Sequence, residues 1–205
     1  MTLLCRRLAP LLLCALLLSP GLAGAEDFPK LTTSYSADQL IETTQGDIVS
    51  KVYHDGGRQR TEMQLQGMQQ ISIVRPDQQR IVMVMPQMNM AMEMPFNNEL
   101  TQRNPEYRIR DYPTEALGRE TLQGEEVTKY KVTDPGGSIG HAWVTDDGIF
   151  VRMEGGEGQE QVVIQRSNIQ RGPQDAALFE PPADVPVTKM DPAMLQQMMQ
   201  QMQAQ

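Results

Sequence analysis

Cysteine is nearly missing from this sequence: Cys5 and Cys14 are the two thiols among 205 residues. Past residue 14 the chain can form no internal disulfide, offer no thiolate to a metal and use no cysteine nucleophile. Long apolar runs are equally scarce. Leu8 to Leu18 is the main one, and it falls short of the roughly 20 residues that a membrane-spanning helix needs. Arg6 and Arg7 precede that run, Pro20 and Gly21 end it, and Ala23-Gly24-Ala25 offers small residues to a cleavage enzyme. Residues 1–25 therefore read as a secretory signal peptide. Cys14 does not fit a lipidation site, because Leu13 precedes it and the apolar run continues beyond it. The expected product is a periplasmic protein, soluble after cleavage near Ala25, with no stable membrane insertion.

Positive charge is also in short supply. Lys and Arg number 18 against 26 Asp and Glu, and losing Arg6 and Arg7 with the signal peptide moves the formal charge from -8 to -10. A field of that sign repels phosphate backbones and anionic headgroups, so nucleic acid is excluded as a partner. There is no His-Glu-x-x-His pair and no phosphate-binding glycine loop. The acidic residues in "TDDG" and "YHDGG" suit turns better than catalysis. His54 and His141 are the two histidines and read as ordinary strand residues. No enzyme activity and no cofactor are expected.

What the sequence does contain, from Thr32 to Arg166, is short alternating apolar and polar runs separated by turn residues. That period-two pattern predicts an antiparallel sheet of eight to ten strands. Hairpins are expected at Asp55-Gly56-Gly57, Arg75-Pro76-Asp77 and Asp146-Asp147-Gly148, where glycine or proline supplies the turn geometry. The polar stretch "NNELTQRNPEYRIRDYPTEALG" predicts a crossing loop with a short helical turn. The proline-rich "GPQDAALFEPPADVP" predicts an extended segment anchored on the surface by Phe179. Three regions result: a signal peptide over 1–25, a β domain over 26–187, and a Met/Gln-rich helix or tail over 188–205. In that last region Asp191 can cap a helix and Pro192 suits its first turn. Met190, Met194, Met198 and Met202 recur every fourth residue, on one helical face.

Six of the 15 methionines lie between Met83 and Met94. Within "PQMNMAMEMP", Met88, Met90, Met92 and Met94 alternate with Gln87, Asn89, Ala91 and Glu93, so one strand would present four thioethers to one side. Three readings are open. The methionines pack as core; they line a cavity for an acyl chain or another apolar partner; or Met88, Met90, Met92 and Met94 form a soft-metal site for copper(I) or silver(I).

Several motifs taken in order add a resemblance: "GGRQRTEMQLQG", "IVRPDQQRIVMVMP", "MAMEMP", "GRETLQGEEVTKYKVT", "AWVTDDGIFVRME" and "LFEPPADVPV". From about Gly46 to Val187 the chain resembles a family of exported bacterial proteins of unknown function that is similar to the LolA/LolB lipoprotein-carrier superfamily. The resemblance implies a mainly β fold: a strongly curved antiparallel sheet, a LolA-like half-barrel with a covering loop or short helix, whose concave face can hold acyl chains. It implies a non-enzymatic protein that binds a lipid or another hydrophobic ligand, or an apolar segment of an envelope protein. On that view Met83, Met85, Met90, Met92 and Met94 provide apolar contact. Trp143 and Phe150 are candidate cavity walls, with core packing as the plainer alternative.

Overall fold

The computed structural model describes residues 27–65, 67–96, 109–156 and 161–191. The expected signal peptide, most of the expected crossing loop and the expected C-terminal helix lie outside the described residues.

The first six strands form a meander: β1 (Tyr35–Thr43), β2 (Gly46–Asp55), β3 (Arg58–Leu65), β4 (Met68–Arg75), β5 (Arg80–Met85) and β6 (Met90–Pro95). After a 3-10 turn at Ile109–Asp111 come β7 (Thr114–Leu122), β8 (Glu125–Thr133), β9 (Ile139–Val144), β10 (Phe150–Gly155) and β11 (Val162–Arg171). A last short strand, β12 (Val187–Lys189), follows a 3-10 turn at Ala176–Phe179. All twelve join one sheet in the order β12-β6-β5-β4-β3-β2-β1-β11-β10-β9-β8-β7. Every pairing is antiparallel except that of β12 with β6. The sheet is open, not closed into a barrel, as expected of a LolA-like half-barrel.

Local chemistry explains the turns. Gly56 and Gly57 close the β2–β3 hairpin with φ of 56° and 83°, and two consecutive positive φ angles define the hairpin turn that glycine makes accessible. The Pro76 turn works differently. Pro76–Gln78 forms one 3-10 turn, and Gln79 at φ 53° returns the chain into β5. The same device recurs at Pro86–Met88, where Asn89 takes φ 47°. Proline presets the first turn residue, and a polar residue three places on accepts the left-handed conformation. This second turn corrects the expectation of one continuous strand through Met88. Residues 80–95 are a hairpin, and Met88 sits in its turn.

Register pairs place opposite residues on the same side of a sheet, so the sides can be traced across the fold. Met92 pairs Met83, Met83 pairs Ser72, Ser72 pairs Thr61, Thr61 pairs Val52 and Val52 pairs Ala37. Two residues beyond Ala37, Gln39 pairs Arg166. Ile41 pairs Ile164, Ile164 pairs Met153, and the line continues through Ala142 to Tyr130. All of these residues share one side, hereafter the methionine side.

The core is divided between the two sides. Near β8–β10 it lies on both: on the methionine side Phe28 packs edge-on against Tyr130 and Phe150 at ring distances of 5.0 and 5.3 Å, and Trp143, on the opposite side, is buried in a second cluster with Val127 and Val151. Near β3–β6 it lies on the opposite side. There Ile71, Ile73, Val82, Val84 and Ala91 enclose a fully buried Phe179, flanked by Leu178 and Val185. Arg60 and Arg75 donate to the carbonyls of Leu178 and Phe179 at 3.0 and 3.1 Å, so the proline-rich segment is a strap held by its backbone as well as by its anchor.

Candidate functional site

The hairpin β5–β6 arranges the expected methionines. Met83 faces Met92 and Met85 faces Met90 across the two strands, and Met94 faces Ile81. Cross-strand neighbours of this kind bring Cβ atoms to about 5 Å, so five thioether chains form one patch on one side. All five are half-buried. The intervening residues point the other way: Val82, Val84 and Ala91 into the Phe179 core, and Glu93 into a pair with Arg80 at 3.0 Å.

The structure separates two expected residues from this patch. Met88, in the turn, is 54% exposed, so the four-methionine metal set of one strand does not form. Trp143 lies on the opposite side, because Ala142 and Val144 flank it on the methionine side. Its indole N–H donates to Glu120, and its ring meets Lys129 and Arg152 with cation–ring distances of 4.7 and 5.7 Å. Phe150 stays on the methionine side, buried between Phe28 and the Arg110 guanidinium, which stands 4.5 Å from the ring centroid.

Sequence reasoning missed the middle and far end of this side. At its middle Arg166, only 2% exposed, donates to Gln39 Oε1 at 3.1 Å, the Tyr35 hydroxyl at 2.9 Å and the Phe150 carbonyl at 3.3 Å. Gln39 in turn donates to Ser50 at 3.2 Å, and His54 stacks on Tyr35 with ring centroids 5.6 Å apart. At the far end a pocket of about 290 Å³ opens between β8–β11 and the Ile109–Tyr112 turn. Val132, Met153, Val162 and Ile164 form its floor, Ile109 and Tyr112 a wall, and Asp134, Ser138 and Glu154 its polar rim. That volume stands at the lower end of small-molecule sites, which run from about 300 Å³ upward. The alternation of Val162, Ile164 and Arg166 in "VVIQRSNI" was the available signal for both features.

Among the described residues no group of three or more His, Cys, Asp or Glu could hold a metal ion, and no helix is long and apolar enough to cross a membrane. The described ionisable groups with displaced pKa values are ion-paired, and none belongs to the methionine patch. Glu93 is held below its ordinary value by Arg80 and then by Lys189. Burial pushes Asp147 up, but the hydrogen bonds from Arg171 and Thr145 outweigh it and leave the group lowered.

The sequence profile described as Domain of unknown function (DUF4412) matches residues 39–150, just over half of the chain. No curated protein matches the sequence. Among solved structures, an uncharacterized conserved protein from Thermus thermophilus superposes with a TM-score of 0.58 at 14% identity, covering 78% of this chain and 92% of that one. MucB of Pseudomonas aeruginosa, seen in complex with MucA, superposes with a TM-score of 0.51 at 13% identity, covering 78% of this chain and 59% of the other. At such identities the likeness concerns the fold.

Proposed function

We propose, for a chain that belongs to the family described as Domain of unknown function (DUF4412), a non-enzymatic role in the periplasm: holding a hydrophobic ligand, a lipid or acyl chain, on the methionine side of the sheet. An apolar segment of an envelope protein is the alternative cargo of the same side. The observation that carries this reading is the cross-strand register of Met83 with Met92 and Met85 with Met90, on the side that also holds the pocket over Met153 and Ile164. Methionine is unbranched and polarisable, so such a surface repacks around chains of different shape. Fully burying an exposed side chain of this kind contributes on the order of 1.5–3 kcal/mol, and covering the part of the half-buried row still in water contributes a fraction of that per residue. The complex of MucB with MucA supports a protein segment as cargo for a chain of this fold.

Native mass spectrometry of the protein purified from its own envelope tests the proposal, together with titration of a fluorescent long-chain fatty acid. A retained lipid, and fatty-acid binding weakened by Met83→Gln with Met92→Gln, are the expected results. A bare polypeptide mass with no fatty-acid binding overturns the reading. Retention of a polypeptide instead of a lipid selects the alternative cargo.

A further inference from the structure

The pocket at the far end of the methionine side is a notch in the sheet itself. Val132, Gly140, Gly155 and Val162 form one row across β8, β9, β10 and β11, and the two central positions of that row have no side chain. Met153 and Ile164, the next pair on the same side of β10 and β11, close the floor toward the middle of the sheet. The Ile109–Tyr112 turn walls the gap, which encloses about 290 Å³.

The two glycines are there for different reasons. A Cβ at Gly140 would stand 2.6 Å from the carbonyl oxygen of Glu154, so the backbone of β10 itself forbids a side chain at that position. At Gly155 nothing lies within 4 Å of the added atom, and φ is not positive. Neither crowding nor conformation asks for glycine there, yet glycine in a strand loses backbone order and packing area. What the missing side chain supplies is room, and glycine at such a position marks the close approach of a ligand.

The polar groups around the pocket share one character. Asp134 brings a carboxylate, Ser138 a hydroxyl and Glu154 the carbonyl oxygen beside Gly140. The Glu154 carboxylate is turned to the other side of the sheet, where Arg152 binds it at 2.7 Å. Among the described residues no lysine or arginine lines the pocket. Acceptors around an apolar floor complement a positively charged hydrogen-bond donor carried on an apolar tail, and they repel a carboxylate head.

We propose that this pocket takes the tail of an alkylammonium amphiphile, with the cationic head held at Asp134, and that Gly155 is the residue that keeps it open. The proposal rests on the reading of this side as a binding surface and adds the head group that its far end selects. A water-sized group, close in size to a methylene, occupies roughly 30 Å³, so 290 Å³ matches a chain of about ten carbons.

Decylammonium and decanoate carry tails of that size and differ in the charge of the head. Each is titrated, below its micelle-forming concentration, into the full chain labelled with methyl-13C methionine. Met153 in the pocket floor and Met83 in the patch are six strand spacings apart, about 29 Å along the sheet, so their methyl resonances report separately. Decylammonium is expected to shift Met153 and to bind about tenfold or more tightly than decanoate. Gly155→Leu fills the notch with four carbons and should weaken decylammonium binding about tenfold or more, with Gly155→Ala falling in between. Thermal unfolding checks that both variants fold; where leucine does not, the alanine variant and the Met153 shift decide. Equal binding of the two amphiphiles, or unchanged affinity in the folded Gly155 variants, overturns the proposal. A shift at Met83 without one at Met153 puts the tail on the methionine patch, which overturns the pocket assignment and leaves the binding function standing. If decylammonium, decanoate and a long-chain fatty acid all leave both methyls unmoved, the binding function falls and the pocket assignment with it.

Discussion

Arg166 on β11 donates to the hydroxyl of Tyr35 on β1 at 2.9 Å, with both side chains buried in the middle of the methionine side. A guanidinium out of water costs much unless its donors are satisfied, and here Gln39 and the Phe150 carbonyl take part as well. The group ties β1, β11 and the start of β10 together between the methionine patch and the pocket.

Arg166→Met tests that tie. It keeps the aliphatic stem and removes the donors, leaving buried acceptors exposed to a penalty of about 1–3 kcal/mol each when unmatched. A loss of about 2–4 kcal/mol in urea unfolding is expected, with the slope of the transition unchanged. A loss below about 1 kcal/mol would show that the network is dispensable.

A second prediction concerns Gly148, where φ is +87° and an added Cβ would stand 2.4 Å from the Lys30 backbone. Gly57 has φ +83° and nothing within 4 Å of that position. The left-handed conformation alone costs an L-residue about 1–2 kcal/mol, so Gly57→Ala should lose about that much. Gly148→Ala must in addition push the N-terminal segment off the β9–β10 turn. Its thermal midpoint should fall by at least twice as much as that of Gly57→Ala.

These turns show what was legible in the sequence. Asp147-Gly148 and Gly56-Gly57 announce hairpins because glycine is needed for positive φ, and the alternation between them announces strands. The Pro86 turn is hidden because a proline reads equally well as a strand boundary, although Arg75-Pro76-Asp77-Gln78-Gln79 already shows the same five-residue form as Met85-Pro86-Gln87-Met88-Asn89. Trp143 and Phe150 illustrate a different limit. A bulge between Phe150 and Arg152 puts Phe150 and Met153 on one side despite their odd spacing, and pairs Trp143 with Arg152 on the other. Bulges change the parity of a strand without leaving a composition signal. The strand count also exceeds expectation: eleven strands run from Tyr35 to Arg171, and β12 beyond them is only three residues long and is held by its pairing with β6.

Acid should destabilise the fold through its paired carboxylates. Glu93 is lowered from its ordinary 4.5, first by the hydrogen bond from Arg80. Asp147 is lowered from 3.8, since its burial, which raises it, is outweighed by Arg171 and Thr145. For groups lowered in the folded state, the stabilisation is complete above the unfolded values and disappears as pH falls through the folded ones. The thermal midpoint should hold steady from neutral pH to about 5 and then drop. Glu93→Gln should begin lower at neutral pH and show a shallower drop, leaving the Asp147 contribution.

The last prediction separates an apolar surface from a soft-metal site. Met83 and Met92 lie opposite each other, as do Met85 and Met90, close enough for sulfur ligation as well as for packing. Leucine keeps volume and apolarity but has no sulfur, and such swaps in packed positions usually cost less than about 1.5 kcal/mol. Glutamine keeps the length of the chain and makes the surface polar. If the patch works by apolar contact, Met83→Leu with Met92→Leu should preserve fatty-acid binding within about twofold, a few tenths of a kcal/mol, while the glutamine pair weakens it. If it works through sulfur, the leucine pair should abolish copper(I) binding measured against a competing chelator, and the wild type should bind the ion stoichiometrically. With Met88 displaced into the turn, any such site would have to draw its thioethers from both strands of the hairpin, so Met83→Leu alone should weaken copper(I) binding as strongly as Met92→Leu.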